Sequence, residues 1–526
     1  MQRAAIAFGL LCVLPWLYIV WETEPAYVNI DESIYQVTAK RMAAQGEDAY
    51  TAGAVNRPPL VFAVYRTANL ISPNGTIGYH VIGILFKIAM AAFVALIAER
   101  CFGTGYFGLT FFLGIAGHWV EGQFWSVNSE MLATPFVCAS VMLLLLYERR
   151  IDLWQILVAG AFIGIAGMFK QTCLAMTLIG PAVFIGASKD EFDEKPPVVR
   201  QCILWLLGVA LPIVGVLMWY AKGDSWSNFL FWTLKADAGY ALGEGLPWTH
   251  WIFHPYRVAK WTLEWSDSGL GFALFPFFFW ISRRNTYFGG RTAEISEFLR
   301  SSLNCWLMWG WLLAAFVAIF VGHRRSPQYW YHVYPLVTIA LAVCIRECWK
   351  RSRAMSTDSW VRALCKGIIA GIAFAGARQA IATGFSERAY LKERAVSGIA
   401  KKEALASQVT AEGRLVIWGR LEDTQSYGDL ARLPASRYLT ADSLKATWHG
   451  RSDKFVVTEE KFVEEFLADV NKSAPVAILD LTQSDAMKDR GYKSLSQFQG
   501  LQEWLKGYEA QKNPAFPGAT VYVLRK

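Results

Sequence analysis

The sequence predicts a polytopic α-helical membrane protein that ends in an α/β domain held outside the cytoplasm. Three observations lead there. The chain has 526 residues, 54% of them hydrophobic and 18% charged, whereas a soluble chain of that length would carry about a quarter charged residues. Apolar runs long enough to cross a bilayer recur through the first part of the chain. Beyond residue 384 those runs stop, and short apolar segments alternate with amphipathic ones.

The runs lie near 4–21, 77–98, 105–119, 131–147, 153–169, 172–187, 201–220, 269–282, 303–321, 332–347 and 363–383, which makes about eleven spans. The first follows Arg3 as a signal peptide would. It closes on Trp21-Glu22-Thr23-Glu24-Pro25 with no small-x-small cleavage site, so it is expected to remain as the first helix.

Lys and Arg collect in cytoplasmic loops. With the N-terminus inside, those loops hold Arg149-Arg150; Lys189, Lys195 and Arg200; Arg283, Arg284, Arg291 and Arg300; and Arg346, Lys350, Arg351, Arg353 and Arg362. An odd number of spans then leaves the tail outside. Asp31-Glu32, Arg57, Glu130, Lys170, the segment 222–268, Arg324-Arg325 and His332 fall on that same outer face. The expected organisation is a membrane domain over 1–384, with outer loops at 22–76 and 222–268, and a soluble α/β domain over 385–526.

In the tail, "SERAYLKERAVSGIAKKEALASQV" reads as a charged helix. "RLVIWG", "PVAILDL" and "ATVYVLR" read as strands, and "EEKFVEEFLADVNK" and "FQGLQEWLKGY" as amphipathic helices. About 140 residues suffice for a core of their own.

Composition also removes function classes. The net charge of +8 is accounted for by basic cytoplasmic loops, so no nucleic-acid partner is expected. The cysteines, from Cys12 to Cys365, sit in or beside apolar segments, and none has zinc-site spacing. Neither a disulfide framework nor a structural metal is expected.

Several polar residues stand where they are costly. Asp31 and Glu32 open a helix whose Ile34, Val37 and Met42 would lie on the membrane surface. The helix dipole favours carboxylates there, which makes them caps, yet two carboxylates at a bilayer interface are an expensive way to cap. Ser129-Glu130 is likewise a favourable helix start. Lys170 is the only charge between two apolar runs and needs an anionic partner, either a lipid phosphate or Glu130. Arg57 precedes Pro58-Pro59, which would fix its approach to phosphate oxygens; lipid headgroups would satisfy it equally. Arg324-Arg325 could hold a phosphate or an anionic acceptor, or could anchor the interface.

Taken in order, "DESIY", "NRPPLVFAVY", "SVNSEMLATPF", "GMFKQTCL", "YWYHVYPLVTIAL" and "VIWGRLEDTQSYGDLARLPASRYLT" resemble the GT-C glycosyltransferases that use polyprenyl-phosphate sugars. That group includes protein O-mannosyltransferases, lipid A aminoarabinose transferases and bacterial relatives acting on lipopolysaccharide core. The resemblance spans nearly the whole chain and rests on the set of motifs, since no single one is specific.

It implies that Asp31 is the base for an acceptor hydroxyl, that Glu32 supports it, and that Glu130 is a second acidic position. Arg57, Lys170, Tyr35, His332, Arg324 and Arg325 would then bind the donor phosphate or substrate, with Tyr334 beside His332. It further implies an inverting transfer at the outer face of a bacterial inner membrane. The partners would be a polyprenyl-phosphate-linked sugar, a glycan, lipid or protein acceptor, and membrane lipids. Some members use a divalent ion, Mg or Mn, which Asp31 with Glu130 could hold. The tail, lacking any nucleophile-base pairing, would receive the acceptor and carry no catalysis. Two other readings fit a many-span chain: a transporter or flippase for a lipid-linked glycan, and a non-catalytic assembly protein. The first lacks the inverted repeat and broken helix pair such transporters show.

Overall fold

The computed structural model describes residues 2–24, 30–73, 75–119, 125–145, 153–188, 197–236, 248–264, 269–279, 302–322, 327–354, 360–406, 409, 412–419, 421–444, 457–483, 492–512 and 518–525. Among the described residues, helix occupies each of the eleven apolar runs. Four helices are long and apolar enough to cross a membrane by length and composition: Gln2–Glu22, Ile77–Phe102, Val198–Ala221 and Arg362–Ala406. Shorter apolar helices cover Phe107–Trp119, Ser129–Leu145, Leu153–Phe169, Gln171–Gly186, Leu270–Phe279 and Cys305–Val321, and a helix runs Tyr334–Ala354.

The first run is two helices, α1 (Gln2–Leu11) and α2 (Leu14–Glu22). Pro15 has no N–H to offer the carbonyl four residues back, and its ring crowds that carbonyl, so the break falls where the chemistry puts it. Next come α3 (Ile30–Gln45), α4 (Ala49–Ala52), α5 (Pro59–Ile71), α6 (Ile77–Phe102), α7 (Phe107–Ala116), α8 (Ser129–Leu145) and α9 (Leu153–Phe169).

The chain forms two compact units. The first comprises Met1–Tyr18, Gly83–Leu217 and Trp248–Ser386; the second comprises Ile19–Ile82, Met218–Pro247 and Glu387–Lys526.

Small residues set the packing of the first unit. A Cβ on Gly160 would stand 2.4 Å from the Trp205 carbonyl oxygen, and one on Gly164 2.3 Å from that of Val209. This small-xxx-small stripe lets α9 and the helix Val198–Ala221 approach backbone to backbone, the contact that holds helices together where lipid offers no hydrophobic drive. Across α8 and α9, Ser140 donates to the Ala159 carbonyl at 2.8 Å.

The second unit carries a four-stranded sheet, β1 (Arg414–Trp418), β2 (Pro475–Asp480), β3 (Tyr508–Gln511) and β4 (Thr520–Leu524), in the order β1-β2-β4-β3. Only β1 and β2 are parallel. Between them in the chain lies the helix Glu459–Lys472, opened by Thr458, whose hydroxyl accepts from the Lys461 N–H. Phe462 of that helix stacks on Trp418 at 5.0 Å.

Three expectations change. The helix α3 does not lie on a membrane surface with one face dry: every residue from Asp31 to Ala39 is buried, as are Arg41 and Met42. The tail covers what would have been its wet side. Ser33 shares a 2.7 Å hydrogen bond with Thr424, Arg41 reaches Asp469 at 3.7 Å, and Gln45 donates to Ser473 at 3.3 Å. The segment 222–268 is not an open loop, since Trp226–Leu230 and Trp248–Glu264 are α-helical and Phe231–Ala236 is a π-turn. "FQGLQEWLKGY" is no continuous helix. Phe498 is extended (φ −86°, ψ 115°), and the segment breaks into short turns before Gln502–Leu505.

Candidate functional site

Two carboxylate–cation groups stand out, one in each unit. In the second unit, Asp31 occupies the first turn of α3, and Arg57 ends the stretch before α5. Pro58 caps α5 in an extended conformation (φ −63°, ψ 155°), and Pro59 begins it. Neither proline lends an N–H to be satisfied, so the backbone at Arg57 is stiff and free of helix hydrogen bonding. The Arg57 Nη2 lies 3.6 Å from Asp31 Oδ1. Its Nε donates to the Tyr35 hydroxyl at 3.1 Å, and its Nη1 to the Asn56 side-chain oxygen at 3.0 Å.

Tyr35 follows Asp31 by four residues, which puts both on one helix face. Tyr50 donates to the Arg57 carbonyl at 2.8 Å, and complete burial pushes its phenol far above the ordinary range, so it remains a neutral donor. Glu32 turns elsewhere: it is fully buried, accepts from the Tyr79 hydroxyl at 3.3 Å, and lies 4.0 Å from His80 Nε2.

In the first unit, Glu130 lies in the first turn of α8. The cap there is Asn128, whose side-chain oxygen accepts from the Met131 N–H at 2.9 Å, which leaves Glu130 for other work. Its Oε1 pairs with Lys170 Nζ at 3.0 Å, and Ser129 donates to its Oε2 at 2.8 Å. The Lys170 ammonium also lies 5.3 Å from the Tyr329 ring centroid. Of the two partners open to Lys170, the structure shows the carboxylate.

His332 is buried and within 3.1 Å of the Thr172 hydroxyl, and Tyr334 donates to the Gly114 carbonyl. Arg324 and Arg325 lie outside the described residues.

Some polar residues escaped the sequence reading. Lys87 sits inside the apolar run 77–98 and donates to the carbonyls of Trp125 and Ser126 at 3.2 and 3.3 Å, which pins the approach to Glu130. A lysine within a membrane span is itself a signal. His118 stacks on Tyr334 at 5.1 Å and lies 3.4 Å from the Tyr331 hydroxyl. Tyr79 and His80, the partners of Glu32, carried no local pattern.

Among the described residues, no group of three or more His, Cys, Asp or Glu gathers as a metal cradle. Asp31 and Glu130 each stand beside a cation, a donor set that suits a divalent ion poorly.

No protein-family model matches the chain, and no curated protein matches it in sequence. Solved structures do match. ArnT from Cupriavidus metallidurans in the apo state aligns over 99% of this chain and 98% of its own, at a TM-score of 0.59 and 15% identity. The chain has the GT-C fold. The same ArnT bound to undecaprenyl phosphate aligns over 82% of this chain and 86% of its own, with TM-score 0.53 and 14% identity. The Archaeoglobus fulgidus oligosaccharyltransferase tethered to an acceptor peptide shares the GT-C fold over all of this chain and 74% of its own, with TM-score 0.54 and 10% identity. A further structure of that oligosaccharyltransferase holds Zn and sulfate.

Proposed function

We propose that the protein is a membrane glycosyltransferase that moves a sugar from a polyprenyl-phosphate donor to a hydroxyl at the outer face of a bacterial inner membrane. The observation that carries this reading is the buried neighbourhood of Asp31 and Arg57, 3.6 Å apart. A carboxylate to take a proton and a guanidinium to meet a departing phosphate are the two groups the reaction needs. The GT-C fold supports it, as does the undecaprenyl phosphate bound by ArnT and the dolichol phosphate bound by the archaeal oligosaccharyltransferase.

In this reading the acceptor oxygen attacks the anomeric carbon as the bond from that carbon to the phosphate oxygen breaks. The acceptor's proton passes to Asp31, and the lipid phosphate leaves with its bonding electron pair. Arg57 stabilises the charge that develops on it, and Tyr35, bonded to Arg57 Nε, sets the guanidinium's orientation. One carboxylate and one displacement give inversion. Glu32, tied to Tyr79 and His80, steadies the first turn of α3. Glu130 and Lys170 form a second acid–cation pair within the first unit, and the tail over 385–526 receives the acceptor. The acceptor is a glycan, lipid or protein, and no step is routed through a metal.

The test is sugar transfer by purified protein in proteoliposomes supplied with polyprenyl-phosphate sugar. Asp31→Asn is expected to reduce turnover by about 10²–10⁴-fold with the unfolding transition unchanged. Full activity in that variant overturns the base assignment. Movement of the donor across the vesicle without transfer overturns the enzyme reading. Mass spectrometry of envelope glycans from a deletion strain names the sugar and its acceptor together.

A further inference from the structure

The second unit contains a cavity of about 520 Å³ lined by the C-terminal halves of α3 and α5 and by residues 427–433. Lys40, Arg66 and Arg432 line it, and among the described residues no Asp or Glu does. Elsewhere in the same unit, several cations are matched: Arg437 with Asp469 at 2.9 Å, Lys472 with Glu47 at 2.7 Å, Arg388 with Glu22 at 2.7 Å. None of the three cavity cations has a side-chain hydrogen bond or ion pair among the described residues.

Lys40 is half-buried, and burial lowers its pKa, with the Glu24 carboxylate opposing. Two guanidinium groups line the same cavity, and an anion between such cations offsets their mutual repulsion. Asn69 adds a second sign. Its side-chain N–H donor is buried at this cavity with no acceptor among the described residues, and a donor left so is destabilising until something fills the place.

The turn that carries Arg432 is held in place at a cost. Ala431, also in the lining, has a left-handed backbone (φ 49°), and the Arg432 N–H donates to the Tyr427 carbonyl at 3.0 Å. A residue with a Cβ adopts that conformation only under constraint. Lys40 lies nine residues along α3 from Asp31, about 13 Å at the rise of an α-helix, so this is a place distinct from the Asp31–Arg57 group.

We propose that this cavity is an anion site that takes a phosphate group, carried either by a lipid headgroup or by a soluble sugar phosphate. Two guanidinium forks and an ammonium match phosphate oxygens in charge and donor number. Leu70, 84% exposed, gives the rim an apolar flank for whatever bears the phosphate.

The experiment uses full-length protein in phosphatidylcholine nanodiscs. Glucose 1-phosphate is titrated calorimetrically for the soluble source. Retention of phosphatidic acid from doped nanodiscs is counted by native mass spectrometry for the lipid source. Wild type is expected to bind one of these probes, more weakly as salt is raised. Arg66→Gln is expected to weaken it about tenfold, and Arg66→Gln with Arg432→Gln about a hundredfold, since each charge-assisted contact is worth roughly a factor of ten. A thermal unfolding transition reports whether each variant is folded, and Arg66→Gln, at an exposed position, keeps the test readable if the double variant unfolds. Binding of glucose 1-phosphate or of phosphatidic acid identifies the source. Wild type that binds neither, or a folded Arg66→Gln variant that binds as tightly as wild type, overturns the proposal. No sugar transfer enters the measurement, so its failure and a failure of the glycosyltransferase reading are told apart.

Discussion

The two carboxylate–cation pairs differ in how closed they are. Glu130 and Lys170 meet at 3.0 Å with side chains 1% and 6% exposed, while Asp31 and Arg57 stand 3.6 Å apart at 10% and 13%. In the first, Ser129 and the Tyr329 ring also approach, and the ammonium and the carboxylate meet at hydrogen-bonding distance. In the second, Arg57 uses Nε and Nη1 on Tyr35 and Asn56, and Nη2 turns toward Asp31. A closed pair buys geometry. A looser one can exchange its partner for an incoming phosphate, which is what the role proposed for Asp31 and Arg57 requires.

The largest effect that separates them is on stability. Glu130→Gln leaves Lys170 as a buried cation without its counter-charge, and breaking a buried pair from one side costs about 3–5 kcal/mol. Denaturant or thermal unfolding in detergent should show that loss. Glu130→Gln combined with Lys170→Met should recover much of it, because the double change removes both charges. Single variants as stable as wild type would mean that the first pair is as open as the second.

Arg57→Lys tests the other side of the comparison. An ammonium cannot hold Tyr35, Asn56 and an anion at once in the fixed fork of a guanidinium. We expect kcat/KM for the lipid-linked donor to fall about 10- to 100-fold, or roughly 1.4–2.7 kcal/mol, with unfolding shifted by less than about 1 kcal/mol. An Arg57→Lys protein that transfers sugar normally but unfolds early would reverse the roles assigned to the two pairs.

The comparison also marks what was legible in the sequence. Apolar runs and the acidic step after the first of them are local patterns, so the helices, Asp31-Glu32 and the strands at 414–418, 475–480 and 520–524 could be read directly. The Glu130–Lys170 pair was legible as one of two options, because an isolated lysine beside apolar runs needs an anion and few are within reach. The burial of α3 was not legible. It depends on Thr424, Asp469 and Ser473, far along the chain, folding back on Ser33, Arg41 and Gln45. Periodicity can give a helix its apolar face, but it cannot say that a distant segment covers the polar one. Lys87 was passed over for the opposite reason: one charge is averaged away in a strongly apolar window, although its carbonyl partners at Trp125 and Ser126 fix the entry to α8. The helix at Trp248–Glu264 was read as loop because its aromatic and basic residues mimic an interface.

The smallest effect probes the looser pair most finely. Tyr35 packs edge-on against Tyr65 at 5.4 Å and Phe62 at 6.0 Å, contacts that Tyr35→Phe keeps. The change removes only the hydroxyl that accepts from Arg57 Nε. A neutral acceptor lost from a charged donor is worth about 1.5 kcal/mol net, near a tenfold change in rate. If Tyr35 orients the guanidinium for the transition state, kcat falls by about that factor while KM for the donor holds. If it merely fills space, neither constant moves. If it binds the donor in the ground state, KM rises and kcat stays. Measured beside Arg57→Lys, the split between kcat and KM decides whether the opening between Asp31 and Arg57 is set by Tyr35 or by the stiff Pro58-Pro59 backbone alone.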